Sequence, residues 1–157
     1  MLRHFHLALT TTVLLSGSML GCSPDKKAAL TQSVELMSLN DSASAYWDAL
    51  RWGNIGDAGR YISDADERLQ FLKTYSEGMG FRITDKTVLE VDVSDAFPEP
   101  REDGALRQGR VVIRIEGYTI PDSKLESKVL AQKWDRLDTG WFLDLKNSEP
   151  LWNVSGP

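Results

Sequence analysis

The chain has 157 residues, and its only histidines, His4 and His6, and its only cysteine, Cys22, all fall within the first 22 of them. Beyond Cys22 there is neither imidazole nor thiol. That excludes Ser-His-Asp triads, Cys-His dyads and imidazole or thiolate metal sites from the rest of the chain. Acid–base chemistry there would fall to Asp, Glu, Lys, Tyr or Arg. Glu90, Asp92, Glu116 and Asp144 lie in alternating segments, and Tyr118 shares a strand face with Glu116. A carboxylate base with a tyrosine donor can run proton transfer when an apolar pocket shifts its pKa toward neutrality. Asp92, Arg114 and Asp144 could also meet across neighbouring strands. Alternation offers a simpler reading, in which these groups form the solvent face of a half-exposed sheet, with surface ion pairs. Neither a calcium-loop spacing nor a glycine-rich phosphate loop occurs. No catalytic residue, metal ligand or cofactor is assigned, and the reading is non-enzymatic.

The sulfur of Cys22 is better explained by what precedes it. Arg3 is the only charge in the first 21 residues, followed by a largely apolar stretch over 7–15 and small residues at 16–18. A positive start, a short apolar middle and a small residue at the cut make a secretory signal. The stretch is too short, and too interrupted by Thr and Ser, for a transmembrane helix of about 20 apolar residues. Leu20-Gly21-Cys22 resembles the lipobox of bacterial lipoproteins, with Met19 where that motif usually carries leucine. The resemblance implies cleavage between Gly21 and Cys22, diacylglycerol on the Cys22 sulfur, and a further acyl chain such as palmitate on the new amino terminus. Ser23, in place of the aspartate that favours inner-membrane retention, implies an outer-membrane lipoprotein facing the periplasm.

Removing residues 1–21 of the 157 leaves 136, enough for one domain with a core, and leaves 17 basic against 23 acidic side chains. An acidic domain without a basic patch is a poor partner for nucleic acid. The expected organisation is a signal peptide over 1–21, the lipidated cysteine and a tether over 22–41 with a weak helix around Leu30–Leu36, and a domain over 42–157. Asn40-Asp41-Ser42 offers cap chemistry for a first helix carrying Ala43, Tyr46, Trp47 and Leu50, with Ala49 and Trp52 beside them and Gly53-Asn54 as its stop. A short helix over 56–61 follows, then a third opened by Ser63 with Asp66 three residues on, and with Leu69, Phe71, Leu72 and Tyr75 as its apolar face.

From Phe81 the period becomes two. Leu89, Val91 and Val93 alternate with Glu90 and Asp92, and Val111, Ile113 and Ile115 with Arg114 and Glu116. Gly117 marks a bulge or a close approach. A long strand over 124–136, the turn Asp138-Thr139-Gly140 and a strand over 141–146 complete an antiparallel set. Helices followed by antiparallel strands make an α+β fold.

The segment Ala45-Tyr46-Trp47-Asp48-Ala49-Leu50-Arg51-Trp52-Gly53-Asn54 resembles the opening helix of NTF2-like (cystatin-like) domains. Tyr61 stands where those domains often place an aromatic, and Gln132-Lys133-Trp134 with Gly140-Trp141-Phe142-Leu143 is similar to their final hairpin. The resemblance spans about residues 42–146 and implies N-terminal helices on a curved antiparallel sheet, often around a cone-shaped pocket. Tyr46, Tyr61, Tyr118 and Trp134 are its expected walls, although aromatics at such spacing are usually core. The resemblance also implies that such sheets pair into homodimers, and ketosteroid isomerases of this fold use a carboxylate base, for which Asp92 with Tyr118 is the candidate here. The functional expectation is a tethered module that binds an envelope protein. The alternative is a carrier or sensor of a small apolar ligand. Trp152, near the C-terminus, is a further candidate docking residue.

Overall fold

The computed structural model describes residues 24–76, 80–120 and 123–148, so Gly21, Cys22 and Trp152 lie outside the described residues. Among these residues, three helices, α1 (Pro24–Arg51), α2 (Ile55–Gly59) and α3 (Ala65–Ser76), precede four strands, β1 (Phe81–Val93), β2 (Arg107–Thr119), β3 (Leu125–Leu137) and β4 (Gly140–Leu143). The strands pair antiparallel in the order β1-β2-β3-β4. The fold is α+β. Among the described residues, no helix is long and apolar enough to cross a membrane.

The expected tether over 22–41 is instead helical from Pro24 onward. No glycine or further proline interrupts residues 25–52, so the helix propagates through the polar stretch. Asn40-Asp41-Ser42 therefore caps nothing. Ser42 sits inside the helix and its hydroxyl donates to the Ser38 carbonyl at 2.9 Å. The domain also begins earlier than residue 42. Leu39 is fully buried, Leu36 packs against the core, and Glu35 pairs with Arg136 of β3 at 3.1 Å. Leu39 lies where a Cβ on Gly109 would be, so the missing side chain in β2 admits the helix. Leu39→Ala is expected to cost about 2–5 kcal/mol, read as a lower urea midpoint, because a buried leucine leaves a cavity.

The stop at Gly53-Asn54 is as expected. Gly53 has φ +74°, and the Gly53 and Asn54 amides donate back to Leu50 and Ala49. This pattern satisfies the last carbonyls with a left-handed glycine. The third helix starts later than expected. Asp64, not Ser63, caps it, accepting from the Glu67 amide at 2.8 Å. Of its expected apolar face, Phe71 is buried, while Leu69 is exposed.

The inner sheet face carries Val111, Ile113 and Ile115 from β2 and Leu130, Gln132 and Trp134 from β3. Ala43, Tyr46, Trp47 and Leu50 of α1 pack on it. Trp47 Nε1 donates to Gln132 Oε1 at 2.9 Å, which satisfies the one buried amide side chain on that face. Lys86 of β1 reaches α1, with its ammonium 2.9 Å from Asp48 and 2.6 Å from the Ser44 carbonyl. Gly117 is a close approach, since a Cβ there would meet the Arg82 carbonyl and the Phe81 ring.

β1 departs from simple alternation. Its register against β2 slips between Ile83 and Asp85 and again between Val88 and Glu90. Each extra residue reverses the facing of those after it. Leu89 was expected inward with Val91 and Val93. It is the extra residue at the second slip and stands 44 % exposed, while Val88 packs on the core. The last strand, expected over 141–146, ends at Leu143. Beyond it the Asp144 amide still donates to the Lys133 carbonyl at 2.9 Å.

Candidate functional site

Three of the four expected pocket residues meet. Tyr46 projects from α1 into a cluster with Tyr61 at 6.3 Å and Trp134 at 5.9 Å, and Tyr61 lies 6.1 Å from Trp134. Trp47 and Phe71 also touch Tyr46, at 5.4 and 6.3 Å. Most of these contacts are edge-to-face, the arrangement that ring quadrupoles favour. The Leu143 amide, donating to the Tyr61 carbonyl at 2.7 Å, ties the loop bearing Tyr61 to β4. The Tyr46 and Tyr75 hydroxyls hydrogen-bond, and burial pushes both phenol pKa values up, so both stay neutral. Trp134 Nε1 and Trp141 Nε1 are buried and have no hydrogen-bond partner among the described residues. Tyr46 and Trp134 are thus core, and Tyr61 is half-buried at the edge of that core.

Tyr118 does not join them. It follows the buried Gly117 on β2, pairs with Arg82 and Leu125, and belongs to the opposite sheet face. Alternation already placed Tyr118 with Glu116, away from Val111, Ile113 and Ile115. The wall assignment ignored that phase.

The carboxylate constellations do not assemble. Asp92 faces Arg110 across β1 and β2, and Tyr118 lies eight residues further along β2. Eight residues of strand span about 27 Å, far beyond proton-transfer reach. Asp92 is exposed and its carboxylate accepts from the Val93 amide at 2.9 Å. Glu90 pairs with Arg110 at 3.2 Å. Arg114 faces Thr87, four positions along β2 from the residue opposite Asp92. Asp144 turns back to Asn147, accepting from its side-chain amide at 2.8 Å. Among the described residues no group of three or more acidic side chains is arranged to hold a metal.

Among the described residues, three surface depressions adjoin the helices. The first lies at the C-terminal end of α1, about 470 Å³ in volume, with Ala45, Ala49, Trp52 and Tyr61 on its walls and the Asp57–Arg60 pair at its rim. Trp52 is 72 % exposed, and the Arg51 guanidinium stacks 5.5 Å from its ring. The periodicity of α1 set Trp52 beside the core residues. Its place on the face opposite Leu39 and Ala43, just before the terminating glycine, is what leaves it outside. The second depression, about 270 Å³, lies between Leu50, Ile55, Tyr75, Phe81 and Ile83, near Arg82.

The third is about 500 Å³ and acidic, with Glu67, Asp103, Asp135 and Asp144 around Arg101 and Lys146. Arg101 bonds Asp103 and lies 3.2 Å from Asp135. The bond from Arg101 holds the Asp103 carboxyl below its ordinary pKa, while burial pushes Asp135 up against the opposing pull of Arg101. Both cations already have carboxylate partners, since Lys146 pairs with Glu67. That groove reads as a satisfied ion-pair network.

No protein-family model and no curated protein matches the chain. Among solved structures, the intermembrane space region of the chloroplast protein ARC6 is similar, at 13 % identity over 69 % of this chain and 91 % of that chain, with a TM-score of 0.41. A likeness at that level carries no family and no function.

Proposed function

We propose that this protein is a lipoprotein of the bacterial envelope, anchored through Cys22 and presenting an NTF2-like (cystatin-like) domain that docks a partner protein without catalysing a reaction. The observation that carries the docking role is Trp52. A tryptophan that contributes nothing to the core is held in place by its stacked arginine at the mouth of a groove walled by Tyr61 and two alanines. Trp, Tyr and Arg are the side chains enriched where interfaces concentrate their binding energy. The occupant that fits is an apolar or aromatic side chain of a partner, inserted between Trp52 and Tyr61. The absence of histidine and cysteine beyond Cys22, and the separation of Asp92 from Tyr118, support the non-enzymatic reading. Support for the finer fold reading comes from three helices preceding an antiparallel sheet with a bent first strand.

The test is capture of the tagged, lipidated full chain from detergent-solubilised envelopes, in parallel with Trp52→Ala. The exposed site makes the variant as stable as the parent, within about 0.5 kcal/mol. A stoichiometric partner present with the parent and depleted several-fold with Trp52→Ala is the expected result. Equal capture by both overturns the groove assignment. A co-purifying lipid or metabolite without a protein partner favours the apolar-ligand reading instead, with the depression between Leu50, Tyr75 and Phe81 as its first location.

A further inference from the structure

The helix α1 has two apolar faces, and the core uses only one of them. Leu36, Leu39, Ala43, Tyr46 and Leu50 turn toward the sheet. Leu30, Val34 and Met37, spaced four and then three residues apart, form a second stripe on the opposite side, exposed by 67, 63 and 68 %. The same face continues through Asp41, Ala45 and Asp48 to Trp52, so it is apolar in its first half and acidic beyond. Residues 28–34 are all exposed, and Glu35 is tied to Arg136 of β3. The first turns of α1 therefore overhang the domain. A short helical segment without packing is marginal in water, and this one carries a solvent-facing apolar stripe as well.

The stripe lies close to the start of the helix. Leu30 is six residues from Pro24 and Met37 is thirteen, about 9 and 20 Å along the axis. Only Ser23 separates Pro24 from the cysteine proposed to carry the lipid. A helix that starts so near an anchor leaves little slack. The apolar part of its outer face must stay near the headgroups, and the acidic part lies further out. The core-facing side points the other way, so the domain does not obstruct contact.

We infer that the overhanging half of α1 lies on the bilayer surface, with Leu30, Val34 and Met37 seated among the lipid headgroups and upper acyl chains. This inference rests on the anchored reading above. The seat is interfacial, since a helix with one apolar stripe and polar residues around it buries that stripe only into the boundary region. The chain beyond the signal is acidic, so contact is driven by apolar burial and resists salt. The consequence is orientation. The domain is held at a fixed attitude to the membrane instead of swinging on a flexible linker.

Because Cys22 is the only cysteine and its sulfur is consumed by the lipid, a cysteine introduced elsewhere can be labelled alone. The test places an environment-sensitive dye at Val34→Cys, or at Gln32→Cys as the exposed control on another side of the helix. Each lipidated full chain is reconstituted into phosphatidylethanolamine–phosphatidylglycerol vesicles, with helix content checked by circular dichroism. The expected result is flotation of both with the vesicles. The dye at 34 is then quenched by nitroxide-labelled lipid and shielded several-fold from aqueous iodide, while the dye at 32 stays open to iodide. Equal iodide access at both positions on floating protein overturns the seating and leaves the anchor intact. Protection at 34 without lipid quenching, with cross-linking between chains, also overturns it and assigns the stripe to a second copy. Failure of either protein to float defeats the anchor and the seating with it.

Discussion

A Cys22→Ala variant is expected in the soluble fraction, where the parent pellets with envelopes. Each buried acyl CH₂ contributes about 0.8 kcal/mol, and stable attachment needs two chains or a chain with a second signal. With a conventional cleavable secretory signal in place of residues 1–21, the variant carries neither the diacylglycerol nor the acylated amino terminus. What remains is the stripe of Leu30, Val34 and Met37, three partly exposed side chains on an acidic protein. Such a stripe orients a molecule already at the surface, but it is too small to hold one there. Retention of Cys22→Ala in the pellet after a high-salt wash would falsify the lipid anchor. Release by salt alone would instead point to an ionic association.

The second large effect concerns Trp134. Trp134→Ala is expected to cost about 3–5 kcal/mol, seen as a shift of the urea midpoint at an unchanged slope. Its ring is fully buried against Tyr46 and Tyr61, at the junction of helix, loop and sheet. Total stabilities are about 5–15 kcal/mol, so this loss can leave a large unfolded fraction. Trp134→Phe is expected to be much milder. It keeps the ring contacts, and the indole N–H it removes has no hydrogen-bond partner among the described residues. A small effect of Trp134→Ala, with ligand binding lost, would instead make this residue a pocket wall.

What could be read before the structure was known divides by range. Local signals were legible. The glycine stop of α1 and the inward phase of Val111, Ile113 and Ile115 follow from period and residue type, Gly117 marks a bulge or a close approach, and the convergence of Tyr46, Tyr61 and Trp134 follows from the family resemblance, which also included Tyr118. Signals set by tertiary context were not. The start of α1 was missed because Asn40-Asp41-Ser42 carries cap chemistry, although Leu36 and Leu39 already continue the spacing of Ala43 and Tyr46. Leu89 was placed inward because a bulge cannot be seen in an alternating string. Trp52 was grouped with the core because spacing alone does not say which flank of a helix the sheet will cover.

The two slips in β1 matter in another way. β1 is an edge strand, and its row of backbone donors and acceptors is broken at Thr84 and Leu89. The regular runs that remain, 81–83, 85–88 and 90–93, contain no more than four residues each. Segments that template stacked sheets are about six or seven residues long. A foreign strand would lose register before gaining a useful number of bonds. Crowded neighbours can therefore touch along this edge without polymerising, a resistance to aggregation that irregular geometry supplies alongside the charges of Arg82, Asp85, Lys86, Glu90 and Asp92.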